Sequence, residues 1–339
     1  MRRIRLGRTN LTVAANGFGA LPIQRTAADE AVRILRNAYE GGMDYFDTAR
    51  YYTDSEEKIG MALAPVRDKI VIATKTFAKT GAELQADLET SLRLLKTDHI
   101  DVYQFHNPPF VPRPGGEDGL YDAALEARKK GQIRFIGITN HRLALARESI
   151  DSGLFDTLQF PLSYLSTEAE LELPALAKAA DVGIVAMKAL SGGLITSSEI
   201  ASAFMAQYPN LLPIWGIQHQ WELDEFLRFR DEAPVMTEEM RKRIAADRKE
   251  LAGEFCRGCG YCMKGCPAKI DIANCARISL LMRRGPVEFH LTPAWQEKVA
   301  KVKDCMDCGQ CRSKCPYGLD TPNLLRKNYE DYQTFLKKA

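Results

Sequence analysis

The sequence predicts an α/β fold: a (β/α)8 TIM barrel over residues 1–236, followed by a mostly helical second domain over residues 237–339. Three observations predict it. The first 236 residues alternate short apolar runs with amphipathic stretches, eight times over. No G-x-G-x-x-G follows the first apolar run, which counts against a doubly wound sheet, the alternative for such a pattern. All nine cysteines lie at or beyond Cys256, so the tail differs chemically from the front.

Taken in order, "RIRLGRTNLTV" reads as an N-terminal hairpin. Strands are predicted near 17–20, 43–47, 70–74, 100–105, 133–138, 156–160, 183–187 and 212–216. Helix-like segments follow at 27–40, 54–64, 81–96, 117–130, 142–152, 168–180, 197–208 and 221–229. Apolar runs each trailed by helical periodicity give βα units and a parallel sheet. Eight such units close a barrel.

The composition, 45% hydrophobic and 27% charged over 339 residues, is globular and long enough for one large and one smaller domain. No apolar run approaches the ~18 residues of a membrane helix. The start, "MRRIRLGRTNLTV", has two arginines but no apolar stretch behind them, so neither a secretory nor a twin-arginine signal is read. The expectation is a soluble, cytoplasmic protein with no membrane partner.

Charge is uneven. Residues 1–236 carry 26 Lys/Arg against 31 Asp/Glu, and residues 237–339 carry 20 against 13. A basic tail ordinarily suggests nucleic acid or an acidic partner. The cysteines supply a simpler cause, and no nucleic-acid partner is expected. Cys256, Cys259, Cys262 and Cys266 follow C-x2-C-x2-C-x3-C and precede Pro267. Cys305, Cys308, Cys311 and Cys315 repeat the pattern and precede Pro316. This is the run that holds 4Fe–4S clusters, the fourth cysteine ligating the other cluster. The ligand sets expected are Cys256, Cys259, Cys262 and Cys315 for one cluster, and Cys305, Cys308, Cys311 and Cys266 for the other. Four thiolates on such a core leave about −2 per cluster, which nearby Lys and Arg offset. Zinc usually takes paired C-x2-C motifs or histidine, and the spacing is too tight for long-loop disulfides. Cys275 fits neither motif and reads as a buried core residue. The 38-residue linker between the motifs is expected to be helical, with a break near "RRGP".

In a barrel of this kind, chemistry collects at the C-terminal ends of the strands. Those ends read "YFDTARYY", "IATK", "YQFHNP", "GITNH" and "LQFP". They bring Asp47, Tyr52, Lys75, His106, Asn140 and Gln159 to one rim. Each has an ordinary structural use: Asp47 as a helix cap, Lys75 as its ion-pair partner, His106 as a core histidine. Together they form an acid–base site. A phenol titrates near pH 10, a neighbouring ammonium lowers that value, an aspartate keeps the ammonium charged, and a histidine can bond the same substrate oxygen. The set can protonate a carbonyl oxygen as hydride reaches its carbon, or run the reverse.

"DTARYYTDSEEKIG", "ATK", "SLRLLKTDHIDVYQFHNP" and "GITN" resemble the aldo-keto reductase family over about residues 1–230. With the tail, the chain resembles the branch carrying a C-terminal 4Fe–4S ferredoxin-type domain. The resemblance implies a catalytic tetrad of Asp47, Tyr52, Lys75 and His106, with Tyr52 as proton donor. It implies nicotinamide contacts at Asn140 and Gln159, with Thr139 where serine is common. It places Met187, followed by Lys188, where an aromatic residue often stacks on the nicotinamide. The remaining nucleotide contacts fall in "PIWGIQHQWELDEF", at Gly216 and at Glu222, the latter where an arginine is common; Phe226 stands where asparagine is common. An acidic residue there suits a free ribose 2′-OH better than a phosphate. Either the cofactor is NAD(H), or Lys188 serves NADP(H) from another loop, or the nucleotide site has decayed.

Three functions follow. The first is a nicotinamide-dependent oxidoreductase interconverting a small carbonyl and an alcohol, coupled to or regulated by two 4Fe–4S clusters. The second bypasses nicotinamide: an external carrier, a ferredoxin or flavodoxin, feeds electrons through the clusters to a flavin or to the substrate. The third is a docking module with structural or sensory clusters, against which the complete tetrad counts. The first is preferred. "NPPFVPRPGGEDG" (107–119), rich in Pro and Gly, is expected to be a lid over the substrate.

Overall fold

The computed structural model describes residues 2–251, 255–284 and 287–337, the Phe289 side chain excepted. Two compact units result: residues 1–189 with 198–236, and residues 190–197 with 237–339.

The first unit opens with an antiparallel hairpin, β1 (Arg3–Arg5) and β2 (Thr12–Ala14). Eight parallel strands follow: β3 (Gly17–Gly19), β4 (Tyr45–Asp47), β5 (Val71–Thr76), β6 (Ile100–His106), β7 (Ile133–Thr139), β8 (Thr157–Pro161), β9 (Gly183–Met187) and β10 (Leu211–Gly216). They close in sequence order, β10 pairing with β3. This is a TIM barrel, as the alternation of apolar and amphipathic segments predicts. Ile4, Leu6 and Val13 of the hairpin region pack with Tyr45, Val71, Val102, Val185 and Leu212. Most of these sit near the starts of their strands, so the hairpin plugs the barrel's N-terminal mouth and leaves the other rim for chemistry.

The connecting helices are α1 (Ala28–Glu40), α2 (Ser55–Leu63), α3 (Gly81–Leu95), α4 (Leu120–Lys129), α5 (Leu143–Asp151), α6 (Glu168–Leu171), α7 (Leu173–Ala179), α8 (Ser198–Met205) and α9 (Gln220–Leu227). The single helix predicted over 168–180 is two. Pro174 lies in the first turn of α7, where its missing N–H costs nothing. In a continuous helix its ring would meet the carbonyl four residues back. The segment predicted as a lid is irregular from Asn107 to Gly119, with Asn107 and Gly119 at positive φ.

The second unit holds α10 (Glu238–Glu250), α11 (Ile272–Cys275), α12 (Ile278–Arg284), α13 (Val287–His290), α14 (Pro293–Ala300), α15 (Gln310–Ser313) and α16 (Thr321–Leu336). The break expected near "RRGP" falls partly on Gly285 and Pro286, outside the described residues. Ile270, Ile278, Met282, Val299, Leu325 and Tyr332 form its core together with the buried Cys256, Cys262, Cys275 and Cys311, and Cys266, Cys305 and Cys315 pack against it. Asn328 pins α16 to α12: its Oδ1 accepts from the Ser279 N–H (3.1 Å) and is 2.9 Å from Ser279 Oγ, and its Nδ2 donates to Ala276 O (3.1 Å). Cys275 is buried with its Sγ 3.9 Å from Lys298 O, and burial pushes its thiol up to about 12. A thiol so reluctant to ionise suits the core position expected for it.

Asn328→Ala strands buried polar groups on α12, each costing about 1–3 kcal/mol. Chemical denaturation should show a loss of that order confined to the transition that reports the second unit. A change below about 0.5 kcal/mol would mean that α16 is held some other way.

Candidate active site

Asp47 ends β4, and Lys75 is the next-to-last residue of β5, its neighbour in the barrel. Lys75 Nζ lies 2.6 Å from Asp47 Oδ2 and donates to Thr48 O at 2.6 Å. Both side chains are almost fully buried. Burial pushes the Asp47 carboxyl up and the Lys75 ammonium down, each against the pull of its partner. Gln104 Nε2 and Gln159 Nε2 approach the same carboxylate at 3.4 Å.

Tyr52 is delivered by the turn after β4. Thr48 Oγ1 is 2.9 Å from Ser55 Oγ, which donates to Ala20 O. The Tyr52 N–H donates to Ala49 O, and the Ser55 N–H to Tyr52 O. Lys75 Nζ stands 5.3 Å from the centre of the Tyr52 ring, and the His106 ring meets it edge-on at 5.9 Å. The four residues expected at one rim are therefore together. The expected acidification of Tyr52 is not found. Burial, and then the Asp47 charge, push the phenol well above its ordinary value. Lys75 is paired with Asp47, whose charge opposes at the phenol what the ammonium would favour.

His106 closes β6. Burial, then the charges of Lys75 and Lys188, hold its imidazole well below 6.5. Phe77, two residues beyond Lys75, stacks on it at 3.9 Å and meets Tyr51 edge-on at 5.0 Å. Sequence reasoning passed over Phe77 and Gln104. Gln104 had a readable signal: it lies two residues before His106, on the same side of a strand. Glu56 was also missed. It is buried, accepts from Thr74 Oγ1 (2.6 Å) and Ser91 Oγ (2.7 Å), and pairs with Arg50.

The residues expected around the nicotinamide are spread along the same rim. Thr139 ends β7, and its Oγ1 accepts from the Asn107 N–H at 3.0 Å. Asn140 Oδ1 accepts from the backbone N–H groups of His141 and Arg142, both 2.9 Å, so its oxygen is engaged by the turn that leads into α5. Gln159 Oε1 is buried and has no hydrogen-bond partner among the described residues. An acceptor so placed fits the amide N–H of a carboxamide. Met187 ends β9 and is half-buried; Lys188 follows at φ +58°. Gly216 ends β10 and is exposed. Glu222 Oε2 accepts from the N–H groups of Gln218 (2.7 Å) and His219 (2.9 Å). Its carboxylate covers the donors that a phosphate at this helix start would use. Phe226 is core, stacked on Trp215 at 4.2 Å.

In the second unit, the thiols of Cys256, Cys259 and Cys315 lie near enough for Cys256 to feel the other two. Cys262 feels Cys256, Cys259, Cys311 and Cys315. Cys311 feels Cys305 and Cys308, and the cleft those three line includes Cys266. Burial is the main force raising Cys256, Cys262 and Cys311. The two loops are tied by Gln310 Nε2 to Cys262 O (2.9 Å), Lys314 Nζ to Lys264 O (2.6 Å), and Arg257 over the Tyr317 ring (4.6 Å). Among the described residues no three His, Cys, Asp or Glu side chains converge as a single metal ion requires. The soft all-thiol donor set and the two groupings fit a pair of four-iron clusters.

Residues 14–243 match the sequence model of the aldo/keto reductase family. The chain belongs to that family. It is an oxidoreductase whose residues 255–320 match a 4Fe–4S dicluster domain. It is similar to L-galactose dehydrogenase of Arabidopsis thaliana, 31% identical over 214 residues, 56% of this chain and 66% of the relative. It is similar to the NADH-specific methylglyoxal reductase of Escherichia coli (strain K12), 26% identical over 264 residues, 66% of this chain and 80% of the relative. The aldo-keto reductase AKR11C1 of Bacillus halodurans, in its holo form, shares the fold. Its TM-score is 0.65 at 23% identity, over 75% of this chain and 98% of that one. Among the described residues no helix is long and apolar enough to cross a membrane.

His106 sets a pH dependence. Its folded-state value is depressed below the ordinary ~6.5 of the unfolded chain, so the unfolded state binds the extra proton. Stability tied to His106 is complete above pH ~6.5 and is lost as pH falls below it. His106→Gln should flatten the decline in unfolding free energy between about pH 6.5 and 5.5. An unchanged slope would mean that the imidazole protonates normally in the folded protein.

Proposed function

We propose that the barrel interconverts a small carbonyl compound and an alcohol by hydride transfer with a nicotinamide cofactor, and that two 4Fe–4S clusters couple to or regulate this chemistry. The observation that carries the reading is the buried Lys75–Asp47 pair beside the Tyr52 phenol, with His106 facing the same ring.

Reduced nicotinamide supplies the hydride when bound; Gln159, Asn140 and Thr139 are the residues proposed to hold its carboxamide end, beside Met187 and Lys188. The chain's own part is the proton. The Tyr52 OH gives its proton to the carbonyl oxygen as the carbonyl carbon gains hydride, and the alcohol leaves with both. Lys75 balances the phenolate that remains, and Asp47 keeps Lys75 charged and aimed. His106, held neutral, donates a ring N–H to the same oxygen and orients it. Phe77 fixes the imidazole plane by stacking on it. Burial and the Asp47 charge hold the phenol in its protonated form, so it enters carbonyl reduction with the proton in place.

NAD(H) is the proposed nucleotide. Glu222 is the reason, its carboxylate seated on the amides at Gln218 and His219. The NADH-specific relative agrees with it. The names of that relative and of L-galactose dehydrogenase support a small carbonyl or alcohol as substrate. The same Glu222 geometry favours a second reading, in which an external carrier, a ferredoxin or flavodoxin, sends electrons through the clusters to a flavin or to the substrate itself.

Tyr52→Phe tests the proposal. It should keep the fold, the iron and nucleotide binding, while carbonyl turnover falls by about two to four orders of magnitude. Tyr51→Phe, at an exposed neighbour, should be mild. Turnover that survives Tyr52→Phe would move the chemistry away from the tetrad.

Nucleotide titration tests Glu222 separately. NAD(H) should bind at least as well as NADP(H), and Glu222→Arg should shift the preference toward NADP(H) by about tenfold, roughly the worth of one charge-assisted hydrogen bond. Tighter NADP(H) binding by the unaltered protein would assign the 2′-phosphate to Lys188. Failure to bind either would favour the second reading.

A further inference from the structure

The barrel's interior buries an amide to which the proposed chemistry gives no part. Gln104 is on β6, two residues before His106 and on the same face of the strand. Its strand partners are Lys75 on β5 and Gly137 on β7. It is 1% exposed. Among the described residues its side chain makes one hydrogen bond, from Nε2 to Asp47 Oδ1 at 3.4 Å, and its Oε1 is buried without a partner. Gly137 leaves room for it. A Cβ there would stand 2.9 Å from Gln104 Cγ and 2.4 Å from Thr157 Oγ1. β7 thus gives up a side chain at the level where β6 carries the amide.

That arrangement is unfavourable for packing alone. A buried amide with an unpaired oxygen loses free energy against an apolar side chain of the same shape. Methionine would fill the space with no polar atom to satisfy, but it cannot donate to Asp47. The two oxygens of that carboxylate are held differently. Oδ2 faces Lys75 Nζ at 2.6 Å and Gln159 Nε2 at 3.4 Å. Oδ1 has one partner among the described residues, Gln104 Nε2. The amide nitrogen, not its oxygen, faces Oδ1, because two acceptors there would repel.

The other groups around Asp47 do not take its place. Lys75 on β5 is the cation that draws on the carboxylate. The Tyr45 phenol of the same strand and the Tyr52 phenol of the turn after it are disfavoured as anions by the Asp47 charge. His106 of β6 is held neutral, with Lys188, next after β9, acting on it. β3 sets Gly19 opposite Asp47, and β8 brings the neutral amide of Gln159.

We infer that Gln104 is a positioning residue: its amide nitrogen holds the Asp47 oxygen that Lys75 leaves, keeping the carboxylate charged and turned to Lys75, so that Lys75 stays an ammonium beside Tyr52. It acts through the pair and is not itself a catalytic group. A hydrogen bond to the charged form of a carboxyl favours that form. With this donor gone, burial is opposed by Lys75 and Gln159 alone, and Asp47 takes a proton more readily. The inference rests on the proposed function, in which the pair serves the Tyr52 phenol.

The experiment is infrared difference spectroscopy of the full, iron-reconstituted chain with isotope-labelled aspartate carboxyls, titrated over the pH range in which it stays folded. Aspartates far from position 104 titrate alike in every variant, so differences isolate Asp47. Gln104→Met removes the donor and keeps the volume. Its Asp47 carboxyl should protonate about one pH unit higher than in the unaltered protein, a tenfold change and about the worth of one hydrogen bond to a charge. Lost stability with an unmoved titration would make Gln104 a packing residue and overturn the inference. So would an Asp47 that stays ionised in both proteins wherever they are folded. Gln104→Glu sets a second carboxyl against Oδ1. Two carboxylates so close do not both ionise, so a protonated carboxyl should appear at neutral pH. Two ionised carboxyls there would show that the side chain does not face Asp47, and would overturn the inference. Should this variant fail to fold, Gln104→Met decides. Turnover is read with NADH and methylglyoxal as probes, the latter named for one relative. Its acid limb in Gln104→Met should move with the carboxyl, and a limb that stays put would also overturn the inference. Tyr52→Phe separates the two failures. Turnover that survives it sinks the proposed function, whereas turnover lost in it beside an unmoved Asp47 titration sinks the part given to Gln104.

Discussion

One ion pair organises the barrel's rim. Lys75 and Asp47 sit on adjacent strands, both nearly inaccessible to water. Removing either partner would leave a buried charge, at a cost of about 3–5 kcal/mol. The pair is tolerable because its remaining valences are used. Thr48 O takes a second proton of the ammonium, and Gln104 and Gln159 bring amide groups toward the carboxylate. Replacing the pair with apolar residues would cost little in stability. Its presence is therefore better explained by chemistry than by folding, and its position fixes what Tyr52 and His106 can do.

The pair also decides the sign of the tyrosine's shift. A lone ammonium beside a phenol would make it more acidic. Here the aspartate that keeps the lysine charged also spends much of its field, and burial does the rest. Both effects favour the protonated phenol.

The fold was legible because each strand carries its own signature: an apolar run ending in a polar residue at the rim. Asp47, Lys75, His106 and Gln159 could be picked out for that reason, since a barrel converts strand ends into one surface. The 4Fe–4S domain was legible because its cysteines recur at short, fixed spacings. What escaped depends on side-chain direction or on burial. Glu222 reads as an acidic residue near a ribose, yet its carboxylate turns back onto its own helix start. Phe77 reads as an ordinary loop aromatic until its ring is found on His106. The grouping of Leu190–Ser197 with the tail rests on Arg277 and Arg284, whose partners lie more than 80 positions away. No periodicity reports such a contact.

The two cluster loops are not equivalent, although their sequences nearly repeat. Cys256 and Cys262 are both buried, whereas Cys308 is exposed beside Met306, itself 66% exposed. Solvent near a cluster stabilises added negative charge with mobile dipoles; a buried cluster must rely on fixed protein charge. Under the proposed ligand sets, the Cys305 loop's cluster has a thiol nearer to water than any in the Cys256 loop. Carbonyl reduction consumes two electrons, and each cluster carries one at a time. A pair of clusters can hold both, but only if their potentials are close enough for the two to fill together.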